Sequence, residues 1–343
     1  MSKQIVPLFD PTKPNVGKLL EPHSGILYWD EHPAVFYELY SKLTQQFWTA
    51  HEVSLTSDSS DWVSKMTDRQ KELFKRGIGQ LVVLDSLACV ADGAMSDYIK
   101  NPAAKTLLVY IASQEAIHNE SYTYACTTFM TKEEADEVFE RPKQDPRILA
   151  ATEAINKAFI EFQEDKTPAT LAMALVAMIA LEGIRFTNGF VPFYYLNRNH
   201  LMLGTGKIIN FINKDEAQHS YSQIQILKKL MADYPELNTP EFIQKIYDFF
   251  RDVVQKEQDL VDSIYEGITD IDVIEVKMYV EWRANMLLAN MGLDKIFPTQ
   301  RNPMRWISVF DPEMINNRKG DFFEEKLNNY SRTSAEKNGF DDL

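Results

Sequence analysis

The stretch SQEAIHNESYTY (113–124) and its counterpart NKDEAQHS (213–220) carry the same word, Glu-x-x-His, about a hundred residues apart: Glu115/His118 and Glu216/His219. Each lies in sequence of helical character, so acid and imidazole project from one face and can grip one ion. Two further acids interrupt apolar helical runs, Asp85 in LVVLDSLACV (81–90) and Glu182 in LVAMIALEGIRF (175–186). A solvated helix face would surround them with more charge at the adjoining turns. A lone buried carboxylate costs several kcal/mol or takes up a proton, so each acid needs a partner, and a divalent metal is the strongest one. Four carboxylates and two imidazoles aimed into a helical core form the donor set that a pair of bridged metal ions requires.

Working outward, helical signals dominate. Apolar residues recur at helical spacing over 31–50, 67–95, 103–130, 146–163, 168–196, 204–232, 240–266 and 270–292. Between them stand turn clusters such as ERPKQDP, QEDKTP, DYPELNTP and FPTQRNP. The pair Thr67-Asp68 is a helix-start signal. Glycine is sparse, and no strand pair or short-period repeat stands out. The expected fold is all-α, a ferritin-like helical bundle with a dimetal-carboxylate site in its core. It divides into an N-terminal arm (1–30), the bundle (31–315) and a polar C-terminal tail (316–343), whose composition cannot bury enough surface to order itself.

Composition bounds the function. With 343 residues and 45% hydrophobic content the chain can bury a large core. A formal charge of −14 argues against nucleic acid and against an anionic membrane surface as partners. Only Cys89 and Cys126 are present, which implies no disulfide framework and a reducing compartment. The start, MSKQIVPLFDPTKPNVGK, has no apolar signal core, so a cytoplasmic location is expected. The apolar run Leu171–Leu181 is about half the roughly 20 residues a membrane span needs, and reads as a helix buried on all sides.

The donor set also narrows the metal. Chance alone supplies two Glu-x-x-His pairs roughly one time in ten in a chain with six histidines, so the weight falls on the two buried acids that complete the set. Four carboxylates balance two divalent ions with both imidazoles neutral. Oxygen and nitrogen ligands without thiolate suit iron or manganese better than structural zinc. Asp85, with its shorter arm, is expected to bind one ion only. Tyr122 follows His118 by four and Glu115 by seven, on the same helical face. A phenol beside an oxidising metal pair could give up an electron and persist as a radical. By spacing alone, Tyr122, Phe186, Phe190 and Ile212 also fit an ordinary core.

With these residues placed, the chain resembles the small, radical-generating subunit of class I ribonucleotide reductase over roughly residues 30–330. The likeness is carried by QFWTAHEV with Trp48, VLDSL, SQEAIHNESYTY, LEGIRF, GKIINFINKDEAQH with Asp215, and MGLDKIFPTQRNPMRWI. The resemblance implies that Asp85, Glu115 and His118 hold one metal and Glu182, Glu216 and His219 the other, with Glu115 and Glu216 bridging. It implies that Tyr122 becomes a stable tyrosyl radical on reaction with O2, protected by Phe186, Phe190 and Ile212. Trp48, Asp215 and His118 would pass electrons between surface and metal. Tyr330 in the tail would relay the radical to the large subunit, with Glu324 matching a family acid. NGFDDL would dock there, with Phe340 or Leu343 as apolar anchor, and the chain would form a homodimer. Iron is the expected metal, and manganese accepts the same ligands. Three other readings use the same residues: a related dimetal oxidase acting on a bound lipid or small molecule, a ferritin-like metal store, and a structural bundle whose acids form salt bridges.

Overall fold

The computed structural model describes residues 9–309, which contain helices and turns and, among the described residues, no strand. The tail residues Glu324, Tyr330, Phe340 and Leu343 lie outside the described residues. The α-helices are α1 (Ala34–Gln45), α2 (Thr56–Ser64), α3 (Asp68–Tyr98), α4 (Pro102–Phe129), α5 (Lys132–Glu140) and α6 (Pro146–Glu164). After them come α7 (Pro168–Ala180), α8 (Thr187–Gly189), α9 (Val191–Arg198), α10 (Leu203–Asp233), α11 (Pro240–Ile264) and α12 (Val273–Met291). A π-turn, Leu181–Phe186, joins α7 to α8.

Local chemistry sets the starts. Asn101-Pro102, Asp145-Pro146, Thr167-Pro168 and Thr239-Pro240 each place a side-chain cap before a proline. The cap oxygen accepts an otherwise unpaired backbone N–H, and the ring presets the first helical φ. At the other end, Gly292 closes α12 at φ 87°, a left-handed geometry that glycine adopts without steric cost.

The long helices make the core. α3 lies along α4, α10 packs against α7, and α6 and α11 cover the far side of α7. Every residue from Leu171 to Ala180 is buried, as expected for a helix surrounded by protein. With the π-turn, α8 and α9, the rod from Pro168 to Arg198 is longer than the apolar run suggested. By length and composition it could cross a membrane, and so could α3, but 89% of the rod's apolar window is buried inside the bundle.

Two short helices escape the periodicity reading. α2 is SSDW-rich and has only a weak apolar face, because serine and aspartate favour caps over helix interiors. Its acids work outside their own helix. Asp58 accepts from the N–H groups of Gly204 and Thr205, at 2.9 and 2.6 Å, and Asp61 from that of Met202 at 3.0 Å, so α2 caps α10 in trans. α5 is the second, started by a Thr131–Glu134 capping box. The helix expected over 31–50 ends at Gln45. Thr49 and Glu52 form a capping box of their own, which begins a new 3-10 turn and leaves Trp48 in the bend between.

Candidate metal centre

α3 delivers Asp85, α4 delivers Glu115 and His118, the π-turn delivers Glu182, and α10 delivers Glu216 and His219. All six are fully buried. They form two groups in which the potential ligand atoms lie within 4.8 Å of one another: Asp85, Glu115, His118 and Glu216, and Glu115, Glu182, Glu216 and His219. Glu115 and Glu216 belong to both. The π-turn widens the helix by one residue where Glu182 sits. Its Gly183 carbonyl accepts from Arg283 Nε at 3.1 Å and Thr187 Oγ1 at 2.9 Å. Such turns are recurrent at functional sites because they re-aim a side chain.

The donor atoms converge on shared points and not on one another. His118 Nδ1 lies 3.0 Å from Glu216 Oε1, 3.2 Å from Asp85 Oδ1 and 3.4 Å from Glu115 Oε2. His219 Nδ1 lies 2.7 Å from Glu115 Oε1 and 3.5 Å from Glu216 Oε2. Yet both Nδ1 atoms, and both oxygens of Asp85, Glu115 and Glu216, make no hydrogen bond of acceptable geometry. Buried polar atoms are rarely left so, and a cation between them would satisfy all of them. The residues present fit a pair of divalent ions.

Electrostatics say the same. Burial pushes the Asp85 and Glu182 carboxyls well above the usual carboxylate range. Burial opposes charge on His118, but Asp215, Asp85, Glu115 and Glu216 outweigh it and raise its pKa well above the ordinary imidazole value. His219 is held against burial at about 10, chiefly by Glu115. For Glu216, too, burial alone would raise the pKa, yet contacts from Glu182, His118 and His219 hold it below the ordinary range. With no cation between them, these shifts favour the protonated forms of Asp85, Glu182, His118 and His219.

Each imidazole is oriented from behind. His118 Nε2 meets Asp215 Oδ2 at 3.2 Å, and His219 Nε2 meets Gln114 Oε1 at 3.2 Å, which fixes Nδ1 toward the cluster. Trp48 donates Nε1–H to Asp215 Oδ2 at 2.7 Å, and its ring stacks on His118 with centroids 6.0 Å apart. On the outer side Trp48 meets Phe211 at 5.4 Å, and the Lys207 and Lys214 ammonium groups lie over the Phe211 ring at 5.7 and 5.6 Å. Tyr122 is buried, and its hydroxyl makes no hydrogen bond of good geometry. Burial first, then the nearby charges of Asp85 and Glu216, raise its pKa well above that of a free phenol. Phe186, Phe190 and Ile212 are fully buried, and the two phenylalanine rings stack at 5.9 Å.

Sequence reading missed four groups. Gln114 precedes Glu115. Asp92 stands seven after Asp85 on the same face of α3, fully buried, and burial together with Glu115 pushes its carboxyl well up. Gln223 stands four after His219, and Nε2 reaches both Asp92 and Glu182 Oε1. Arg185, three after Glu182, is the flanking charge that the sequence reading passed over. It turns to the buried Glu257, with Nε donating to Oε2 at 3.0 Å. Helical spacing from the named ligands was the available signal for Asp92 and Gln223.

Comparison with known proteins gives one answer. The family model described as "Ribonucleotide reductase, small chain" matches residues 31–303. The chain is 33% identical to a ribonucleoside-diphosphate reductase subunit beta of Halalkalibacterium halodurans, over 98% of each chain. It is 29% identical to the subunit of that name in Treponema pallidum, over 86% of this chain and 85% of that one. Among solved structures, the ribonucleotide reductase R2 subunit from Clostridium botulinum matches with a TM-score of 0.85 and 25% identity, covering 91% of this chain and 99% of that one.

Proposed function

The chain belongs to the ribonucleotide reductase small-chain family, and from that premise we propose that its core generates and stores the radical that the large subunit uses. As a small subunit of ribonucleoside-diphosphate reductase it is part of an oxidoreductase that makes deoxyribonucleotides. Asp85, Glu115 and His118 would hold one divalent ion, and Glu182, Glu216 and His219 the other. Glu115 and Glu216 would be shared between the two ions, because these two belong to both four-residue groups; that sharing is the observation that carries the reading. Iron is the first choice, and manganese suits the same oxygen and nitrogen donors. When bound, the pair supplies the reduction of O2 and the one-electron oxidation of a neighbouring side chain.

The protein's own residues do the rest. Tyr122 Oη keeps its proton in the buried pocket, so oxidation of the phenol releases an electron and a proton together. Asp85, whose charge bears on that phenol, would take that proton. Phe186, Phe190 and Ile212 exclude water, which would otherwise reach and quench the radical. Trp48, through Asp215 and His118, conducts electrons between the surface and the cluster. The partners are the large subunit and a second copy of this chain. Tyr330 and the terminal NGFDDL serve the large-subunit contact, and the assembly works in the cytoplasm.

The test is spectroscopic. Protein loaded with iron, or with manganese and a suitable oxidant, and then exposed to O2 shows a sharp tyrosyl EPR signal that Tyr122→Phe lacks. Two metals per chain without that signal under either loading would defeat the radical assignment.

A further inference from the structure

Gln223 and Asp92 take no part in the mechanism above, yet both are fully buried beside it. Gln223 Nε2 lies 3.2 and 3.4 Å from the two oxygens of Asp92 and 3.3 Å from Glu182 Oε1. Nε2 donates to a carboxyl oxygen of each neighbour, and the amide's own oxygen has no partner. One N–H goes to each acid. Glu182 is thereby split: Oε1 is engaged by Gln223, while Oε2 makes no hydrogen bond and is left for the cluster.

We propose that Gln223, oriented by Asp92, is a positioning residue that holds Glu182 as a one-oxygen ligand on the His219 side of the centre. The proposal rests on the metal-binding reading of the six residues. Three features carry it. Glu182 issues from a π-turn, a wider turn that leaves its carboxylate to be aimed by its neighbours. Asp92 is set on α3 two turns from Asp85, so the backbone that places one ligand also places the acceptor that locks the amide. Finally, four ligand carboxylates already neutralise two divalent ions. A fifth acid is better placed behind an amide than on the metals.

The two substitutions differ in what they leave behind. Gln223→Met keeps the length and burial but frees Glu182 Oε1, so both oxygens can chelate or bridge. Asp92→Asn keeps an oxygen that can accept from Gln223, so it should preserve the aim.

The experiment loads wild type, Gln223→Met and Asp92→Asn with Mn2+ alone. It reads stoichiometry and affinity by titration, metal–metal coupling by EPR, and the number of Glu182 oxygens on the ion in crystals. The expected result is selective. Gln223→Met keeps the first ion, binds the second about 10–100-fold more weakly, and shows an altered EPR splitting with Glu182 no longer bound through one oxygen. Asp92→Asn stays within about threefold of wild type, as a lost hydrogen-bond partner would not allow. Wild-type coupling and one-oxygen Glu182 in Gln223→Met would overturn the proposal. So would an Asp92→Asn variant that loses the second ion, since charge and not aim would then be the cause; this arm decides the matter if Gln223→Met fails to fold. Failure of wild type to take up two ions would strike the metal reading itself, a separate result.

Discussion

Trp48 and Asp215 are joined by a 2.7 Å hydrogen bond between residues 167 apart in sequence, and the accepting oxygen, Oδ2, is the one that meets His118 Nε2. One carboxylate oxygen thus ties a buried indole to an imidazole of the acidic cluster. Asp215→Ala removes both contacts at once. It is expected to lower activity with the large subunit about 10–100-fold, the usual cost of losing the partner behind a ligating histidine. Trp48→Phe leaves the Asp215–His118 bond standing, so its metal content should match wild type while the yield of tyrosyl radical falls. Steady-state assays alongside metal analysis separate the two. A Trp48→Phe protein with full radical yield would remove Trp48 from the electron path.

Metal uptake should follow pH steeply. With no ion bound, the raised pKa values of Asp85, Glu182, His118 and His219 favour their protonated forms. Divalent ions need those positions deprotonated, so binding releases up to four protons, and affinity falls as pH falls. Titration with Mn2+ in weakly buffered solution, followed by a pH electrode, measures the release directly. A release near zero at pH 7 would mean that the cluster does not carry these protons.

The same linkage stabilises the fold. Ions that bind only the native state, at a hundredfold excess over Kd, add about 2.7 kcal/mol. At about 2–4 °C per kcal/mol for a large domain, loading raises Tm by roughly 5–10 °C, and chelation reverses it. Differential scanning calorimetry with and without Mn2+ checks this. An unchanged Tm would show that the six side chains hold no ion tightly.

Much of this cluster was legible because side chains that meet from one helix face obey the helix period. Glu115 with His118, and Glu216 with His219, are three apart. Asp85 and Glu182 announced themselves as acids in apolar surroundings. What escaped lies in tertiary structure. The α2 acids Asp58 and Asp61 look like surface residues until the start of α10 is brought to them. The π-turn at Leu181–Phe186 has no composition signal, because LEGIRF continues an unbroken helical run. Asp92 stands in ADGAM within the helix expected over 67–95, and its spacing from Asp85 was the only sign of its place before Gln223 of α10 is brought to it.

The π-turn makes its own prediction at Gly183. A Cβ there would stand 2.5 and 2.6 Å from the two methyl carbons of Leu287 on α12, closer than any real contact. Gly183→Ala therefore forces the buried Leu287 side chain, or the turn and α12 themselves, to shift. Overpacking of this kind costs about 1–3 kcal/mol, and it acts one residue from Glu182. The variant is expected to lose several degrees of Tm and to bind the second ion more weakly than the first. Gly183→Ala with Leu287→Ala should recover part of both. No recovery would place the strain elsewhere.

Behind the turn, Arg185 and Glu257 form an ion pair excluded from solvent, and the Glu257 carboxylate is also held by Gln80 and Asn188, each donating at 2.8 Å. Four elements meet at that one carboxylate: α3, the π-turn, α8 and α11. Glu257→Leu strands the Arg185 guanidinium in the core, and removing one partner of such a pair costs about 3–5 kcal/mol. Arg185→Leu strands the carboxylate, though Gln80 and Asn188 still serve it, so it should cost less than Glu257→Leu. The double variant removes both charges and is expected to be more stable than Glu257→Leu alone, because replacing a whole buried pair with apolar side chains is often near neutral. A double-mutant cycle in Tm, read at one scan rate without metal, gives the coupling. Strict additivity of the two single losses would mean that the charges do not depend on each other, and that the carboxylate matters only as an acceptor for the two amides.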